Sequence, residues 1–157
     1  MNTFPHPQEA VAGTVQREVE FSSHAGNLSL VRRYVRQFLL GEGCGESLIE
    51  LMVLGIDEAC TNVIRYAYEN ADDQLIRLTL QRAGDRVRFR LRDYGCGVDA
   101  CKLSGRALEV VRPGGLGLYL IRQAFDKAYY LRKPKGTELV MIKTLPSTVA
   151  EKQSEAA

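Results

Sequence analysis

The spacing of apolar residues changes period along this chain in a fixed order, and that order limits the folds open to it. From Val15 the pattern alternates, with Val15, Arg17, Val19 and Phe21 on one side and Gln16, Glu18 and Glu20 on the other. That is a short strand with one wet face at a sheet edge. Ser22 and Ser23 offer an N-cap to a helix reaching about Leu40, with Leu28, Val31, Val35, Phe38 and Leu39 as its apolar stripe. Gly41, Gly43 and Gly45 end it, and a second helix runs from about Glu46 to Asn70. Two alternating stretches follow, Leu75–Gln81 and Arg86–Arg92, joined by Ala83-Gly84-Asp85 as a hairpin. A loop region from Asp93 to Pro113 leads to a third helix, Gly115 to Asp126. A closing hairpin, Ala128–Lys133 with Glu138–Leu145, turns around Lys135-Gly136-Thr137.

This order lacks the strand–helix rhythm of a doubly wound parallel sheet. It predicts a two-layer α/β (α+β) sandwich: a mostly antiparallel sheet with helices on one face. The folded domain is expected over residues 15–145, with flexible tails at 1–14 and 146–157. A chain of 157 residues is long enough to bury one core. Its 45% hydrophobic and 25% charged residues place it among soluble globular proteins. The net charge of +2, with basic residues spread from Arg17 to Lys143, gives no footprint for direct nucleic-acid binding. Cys44, Cys60, Cys96 and Cys101 form no CxxC pair and read as reduced cytosolic thiols. The N-terminus lacks the layout of a signal peptide, and the apolar run Leu51–Ile56 is too short to cross a bilayer. A cytoplasmic protein is expected.

Three stretches could carry chemistry. At 100° per residue, the second helix has a core stripe of Ile49, Val53, Ile56, Cys60, Ile64 and Ala67. Leu51, Gly55, Glu58, Asn62, Arg65 and Glu69 lie opposite, with Glu58 and Asn62 one turn apart on one face. Such a face is ordinarily just solvated. Gly55 argues for close approach of something, because glycine costs about 1 kcal/mol inside a helix. Next, Asp93-Tyr94-Gly95-Cys96-Gly97 puts a carboxylate at a strand tip, followed by glycines that let backbone near a ligand. By itself it is also an ordinary turn. Last, Arg112-Pro113-Gly114-Gly115-Leu116-Gly117-Leu118 runs straight into a helix, where bare amides make a phosphate-binding surface. It is neither a GxxxxGK[ST] loop nor a GxGxxG fingerprint.

In order and spacing, Glu58-Ala59-Cys60-Thr61-Asn62, Asp93-x-Gly95-x-Gly97 and Gly115-x-Gly117 resemble the N, G1 and G2 boxes of Bergerat-fold (GHKL) ATPases. The resemblance covers about Val15 to Leu145. Tyr66-Ala67-Tyr68 and the Pro-Gly-Gly-Leu-Gly-Leu turn make the chain most similar to the anti-sigma-factor serine kinases. That resemblance implies a histidine kinase-like ATPase domain using ATP and Mg²⁺. Asn62 would be the metal's side-chain ligand, and Asp93 would accept from the adenine amino group, with Gly97 close to the base and Gly95 also in the nucleotide-binding set. The turn Gly114-Gly115-Leu116-Gly117-Leu118 would cradle the phosphates, and Thr137 would close the far side of the adenine pocket. Glu58 would be the general base. Residues 98–113 would form a lid whose Arg106 and Arg112 are candidate γ-phosphate ligands.

Where the serine-kinase branch often has a histidine soon after its asparagine, this chain has Arg65-Tyr66, similar to histidine-kinase catalytic domains; Arg65 could touch phosphate. His6 and His24 lie outside any helical phosphoacceptor segment, which excludes an intact histidine kinase. The implied partners are an anti-sigma-factor antagonist, a sigma factor and a second copy of the chain, paired through the first strand and helix. The alternatives are a non-catalytic ATP-binding partner-switch module and a stand-alone histidine-kinase-like ATPase domain serving another chain.

Overall fold

The computed structural model describes residues 14–95 and 116–147. The elements follow the expected order: β1 (Thr14–Ser22), α1 (Leu28–Gly41), α2 (Glu46–Asn62), β2 (Leu75–Ala83), β3 (Arg86–Asp93), α3 (Leu116–Ala124), β4 (Lys127–Arg132) and β5 (Thr137–Thr144). The strands lie in the order β1-β2-β3-β5-β4, and all four pairings are antiparallel. The last hairpin thus inserts β5 beside β3 and leaves β4 at the far edge, opposite β1.

Alternation along β3 sets the two layers. Val87, Phe89, Leu91 and Asp93 are buried, whereas Arg86, Arg88, Arg90 and Arg92 take the other face. Phe89 meets Phe38 of α1 and Phe125 edge-on, with ring centroids 6.3 and 5.8 Å apart. These contacts hold helices and sheet together. Truncating such a ring to alanine typically costs about 3–5 kcal/mol. Arg32 of α1 reaches Asp57 of α2 at 2.6 Å, and Arg36 contacts Glu46 and Glu50.

Three local expectations need correction. Ser22 and Ser23 do not cap a helix. Ser23 donates its hydroxyl to the Ala71 carbonyl at 2.5 Å and accepts from the Gln74 amide at 3.1 Å. The turn before α1 is a short 3₁₀ segment, Ala25–Asn27, capped by His24 Nδ1 accepting from the Gly26 amide. Next, the second helix is not α-helical to Asn70. It widens into a π turn over Val63–Ala67, with the Tyr68 amide reaching back to the Val63 carbonyl at 3.0 Å. Glu69 and Asn70 then adopt positive φ, which ends it. The extra residue in that turn rotates everything after Asn62, so Ile64 and Ala67 are only half-buried and Tyr68 turns inward.

Gly55 is the third correction. It is buried rather than on a solvated face, because α3 crosses α2 there. A Cβ at Gly55 would lie 2.7 Å from the Ala124 Cβ and 3.0 Å from a Phe125 ring carbon. The close approach that glycine signalled is therefore helix packing. Gly55→Val is expected to destabilise the fold by about 1–3 kcal/mol through overpacking. A thermal unfolding midpoint equal to that of the parent protein would count against this account of the crossing.

Candidate functional site

The ladder between β3 and β5 ends at the pair Arg92–Glu138. Beyond it, side chains join the two strand tips. Thr137 donates its hydroxyl to Asp93 Oδ2 at 2.6 Å, and the Gly95 amide donates to Asp93 Oδ1 at 3.1 Å. Asp93 is only 2% exposed and Thr137 4%. A buried carboxylate is costly unless hydrogen bonds replace its water. Here the donors are neutral, and Asp93 forms no ion pair among the described residues. Two oxygens offer about four acceptor positions, and among the described residues Gly95 and Thr137 fill two of them.

Close backbone contacts assemble this corner. Gly136 has φ +75°, and a Cβ there would lie 2.1 Å from the Asp93 carbonyl oxygen. Both facts demand glycine. A Cβ on Gly95 would lie 2.3 Å from the Ala67 carbonyl oxygen. The tip of β3, the β4–β5 turn and the turn after α2 are thereby in mutual contact. Tyr68 adds a brace: its hydroxyl accepts from the Tyr94 amide at 2.7 Å and donates to the Leu75 carbonyl. Burial pushes the Tyr68 phenol up, which keeps it a donor.

Among the residues singled out from sequence, the structure joins Asp93, Gly95 and Thr137 directly. Glu58 and Asn62 sit half-buried on α2, one turn apart, with Asn62 the last residue before the π turn that meets Gly95. Arg65 is exposed on that turn. Leu116, Gly117 and Leu118 begin the described part of α3. Gly97, Arg106, Arg112, Gly114 and Gly115 lie outside the described residues, as do Cys96 and Cys101. Burial, together with the nearby Asp57 charge, pushes the Cys60 thiol up, so it serves as packing.

Sequence reading missed two groups. Tyr68 acts as a brace only because the π turn brings it inward, and helical periodicity carries no sign of such a turn. Arg92 falls on the outward face of an alternating strand, where arginine is unremarkable. Yet it donates to the carbonyls of Asp93 and Thr137, and its guanidinium lies 4.3 Å over the Tyr94 ring.

The joined groups form one small polar corner at the tips of β3 and β5. A buried acceptor, Asp93, lies there beside Gly95 and Gly136. Among the described residues no group of three or more His, Cys, Asp or Glu could hold a metal. No helix among the described residues is long and apolar enough to cross a membrane.

Comparison with known proteins identifies the family. The chain is 28% identical over 135 residues to the serine-protein kinase RsbW of Staphylococcus epidermidis, covering 80% of this chain and 84% of that one. It is also 28% identical over 124 residues to the serine-protein kinase RsbW of Listeria monocytogenes serotype 4a, covering 73% and 77%. The fold is similar to the crystal structure of the RsbU and RsbW domains of Rv1364c from Mycobacterium tuberculosis, with a TM-score of 0.62 and 21% identity. That match covers 83% of this chain and 32% of the longer one. The profile of the histidine kinase-like ATPase domain matches residues 21–143, and the chain belongs to that family.

Proposed function

We propose that this protein is an ATP-dependent serine-protein kinase that acts as an anti-sigma factor in the cytoplasm, phosphorylating a small anti-sigma-factor antagonist and sequestering a sigma factor. The observation that carries the nucleotide part is the buried Asp93 carboxylate, held by Thr137 and Gly95 and with acceptor positions that the described residues leave open. The kinase part is supported by similarity to serine-protein kinases and by the presence of Glu58. A pure nucleotide binder has no need of that carboxylate.

In this reading residues 15–145 form the ATP-binding domain. Asp93 accepts from the adenine amino group, the Gly95 amide orients that carboxylate, Gly97 lies close to the base, and Thr137 closes the pocket. Amides of the stretch Gly114-Gly115-Leu116-Gly117-Leu118 hold the phosphates, and Arg65, Arg106 and Arg112 are their candidate cationic neighbours. Glu58 takes the proton of the acceptor serine hydroxyl. Mg²⁺, with Asn62 as its side-chain ligand, would supply neutralisation of phosphate charge. A homodimer would form through β1 and α1. The position of β1 at the sheet edge supports this, as does a groove of about 240 Å³ lined by Val15, Arg17, Tyr34, Gln37, Phe38, Gly41 and Glu42.

The test is incubation with γ-labelled Mg-ATP and a candidate antagonist. Label on serine supports the proposal. Binding without label points to a partner-switch module, and label on a histidine of another chain points to a detached ATPase domain. Asn62→Ala is expected to bring ATP affinity in magnesium down to that measured with a chelator. Affinity in magnesium equal to that of the parent protein would place the metal elsewhere.

A further inference from the structure

We infer that Arg92, working from the opposite face of the sheet, is a positioning residue for recognition of the base. This inference rests on the nucleotide reading above. The last β3–β5 rung is Arg92–Glu138, so the main chains of Asp93 and Thr137, still paired on their outer sides with Ile76 and Arg132 respectively, lie where the bonds between β3 and β5 stop. On the helix face the two residues are joined by the Thr137 hydroxyl and the Asp93 carboxylate. On the other face, Nη1 of Arg92 donates both to the Asp93 carbonyl and, at 3.2 Å, to the Thr137 carbonyl. One guanidinium thus replaces the missing rung and ties the backbone under both pocket residues.

The Tyr94 ring fixes that guanidinium in place, 4.3 Å away. Tyr94 is in turn anchored through its amide to Tyr68, and Tyr68 to Leu75. Arginine suits this post because one nitrogen can serve two carbonyls while the planar guanidinium lies over a ring, and a lysine ammonium has no such planar face. Two tethers on opposite faces set the direction of the Asp93 carboxylate. A tip held on one side only would let Asp93 turn with Thr137, blurring the acceptor direction that separates a 6-amino purine from a 6-oxo purine.

The experiment titrates the full chain with ATP and with inosine triphosphate, which carries an acceptor where ATP carries a donor. Proteins compared are the parent, Arg92→Ala, Arg92→Lys and Arg77→Ala. Arg77 stands directly opposite Arg92 on the same outward face, but its guanidinium pairs with Glu20 at 2.6 Å and donates to neither the Asp93 nor the Thr137 carbonyl. The parent protein is expected to prefer ATP. Arg92→Ala should weaken ATP by about 3- to 10-fold, the range for losing one or two such hydrogen bonds, with inosine triphosphate changing less than about twofold. Arg92→Lys should recover part of the preference, and Arg77→Ala should keep all of it.

Equal losses for both nucleotides would mean a general structural role and overturn the inference, as would a preference left intact in Arg92→Ala. A parent protein that binds neither nucleotide, or binds both alike, overturns the nucleotide reading and this inference with it. Should Arg92→Ala unfold, Arg92→Lys carries the test. A lysine variant that is folded and retains the parent's full preference overturns the two-carbonyl bridge.

Discussion

Glu58→Gln is expected to lower the rate of phosphate transfer to serine by about 10²- to 10⁴-fold, the usual worth of a positioned general base. ATP affinity should stay within about twofold. The separation follows from where Glu58 sits. It is half-buried on α2, one turn before Asn62, and forms no ion pair among the described residues. Glutamine preserves its length and helix propensity, so stability should change by less than about 0.5 kcal/mol. Single-turnover transfer of label and an equilibrium titration separate the two effects. Transfer at the parent rate would remove Glu58 from the chemistry, and lost ATP binding would make it a ligand-holding group instead.

Asp93→Asn should weaken ATP about 10- to 100-fold, the worth of a charge-assisted hydrogen bond in a dry pocket. The carboxylate now accepts at both oxygens, from Gly95 and Thr137. An asparagine in the same place has one acceptor oxygen and one amide donor. Its oxygen can keep the Gly95 amide, while its NH₂ turns toward Thr137 and the base. A donor then faces the adenine amino group. Inosine triphosphate, with an oxygen at that position, should lose little affinity or gain some. Paired titrations of the two nucleotides measure the reversal, and a uniform loss would show that Asp93 supports the fold rather than reading the base.

Much of the architecture was legible because its signals are local. Alternation in RVRFRLRD marked β3, and the tally of periods ruled out a parallel sheet. Glycines were legible as places of close approach, but the approaching group was not. Gly55 meets α3, and Gly95 meets the Ala67 carbonyl. What the sequence hid was the π turn after Asn62, which a pattern read at 100° per residue cannot register. That turn brings Tyr68 inward and leaves Arg65 at the surface. Asp93 and Thr137 were paired through family resemblance, since no local pattern links residues 44 positions apart. Arg92 acts through main-chain carbonyls across a sheet, and a single sequence shows only its side-chain type.

The strand order has a consequence for how the protein is made. The final hairpin supplies β5, which lies inside the sheet against β3 rather than at a rim. While the ribosome has delivered only as far as β3, that strand presents a bare edge, and its terminal acid lacks the threonine that will join it. Such an edge is an invitation to pair with other nascent chains. Translation products that stop before Lys127 should therefore be prone to clump, and competence for nucleotide should arrive late and all at once, when the last hairpin docks.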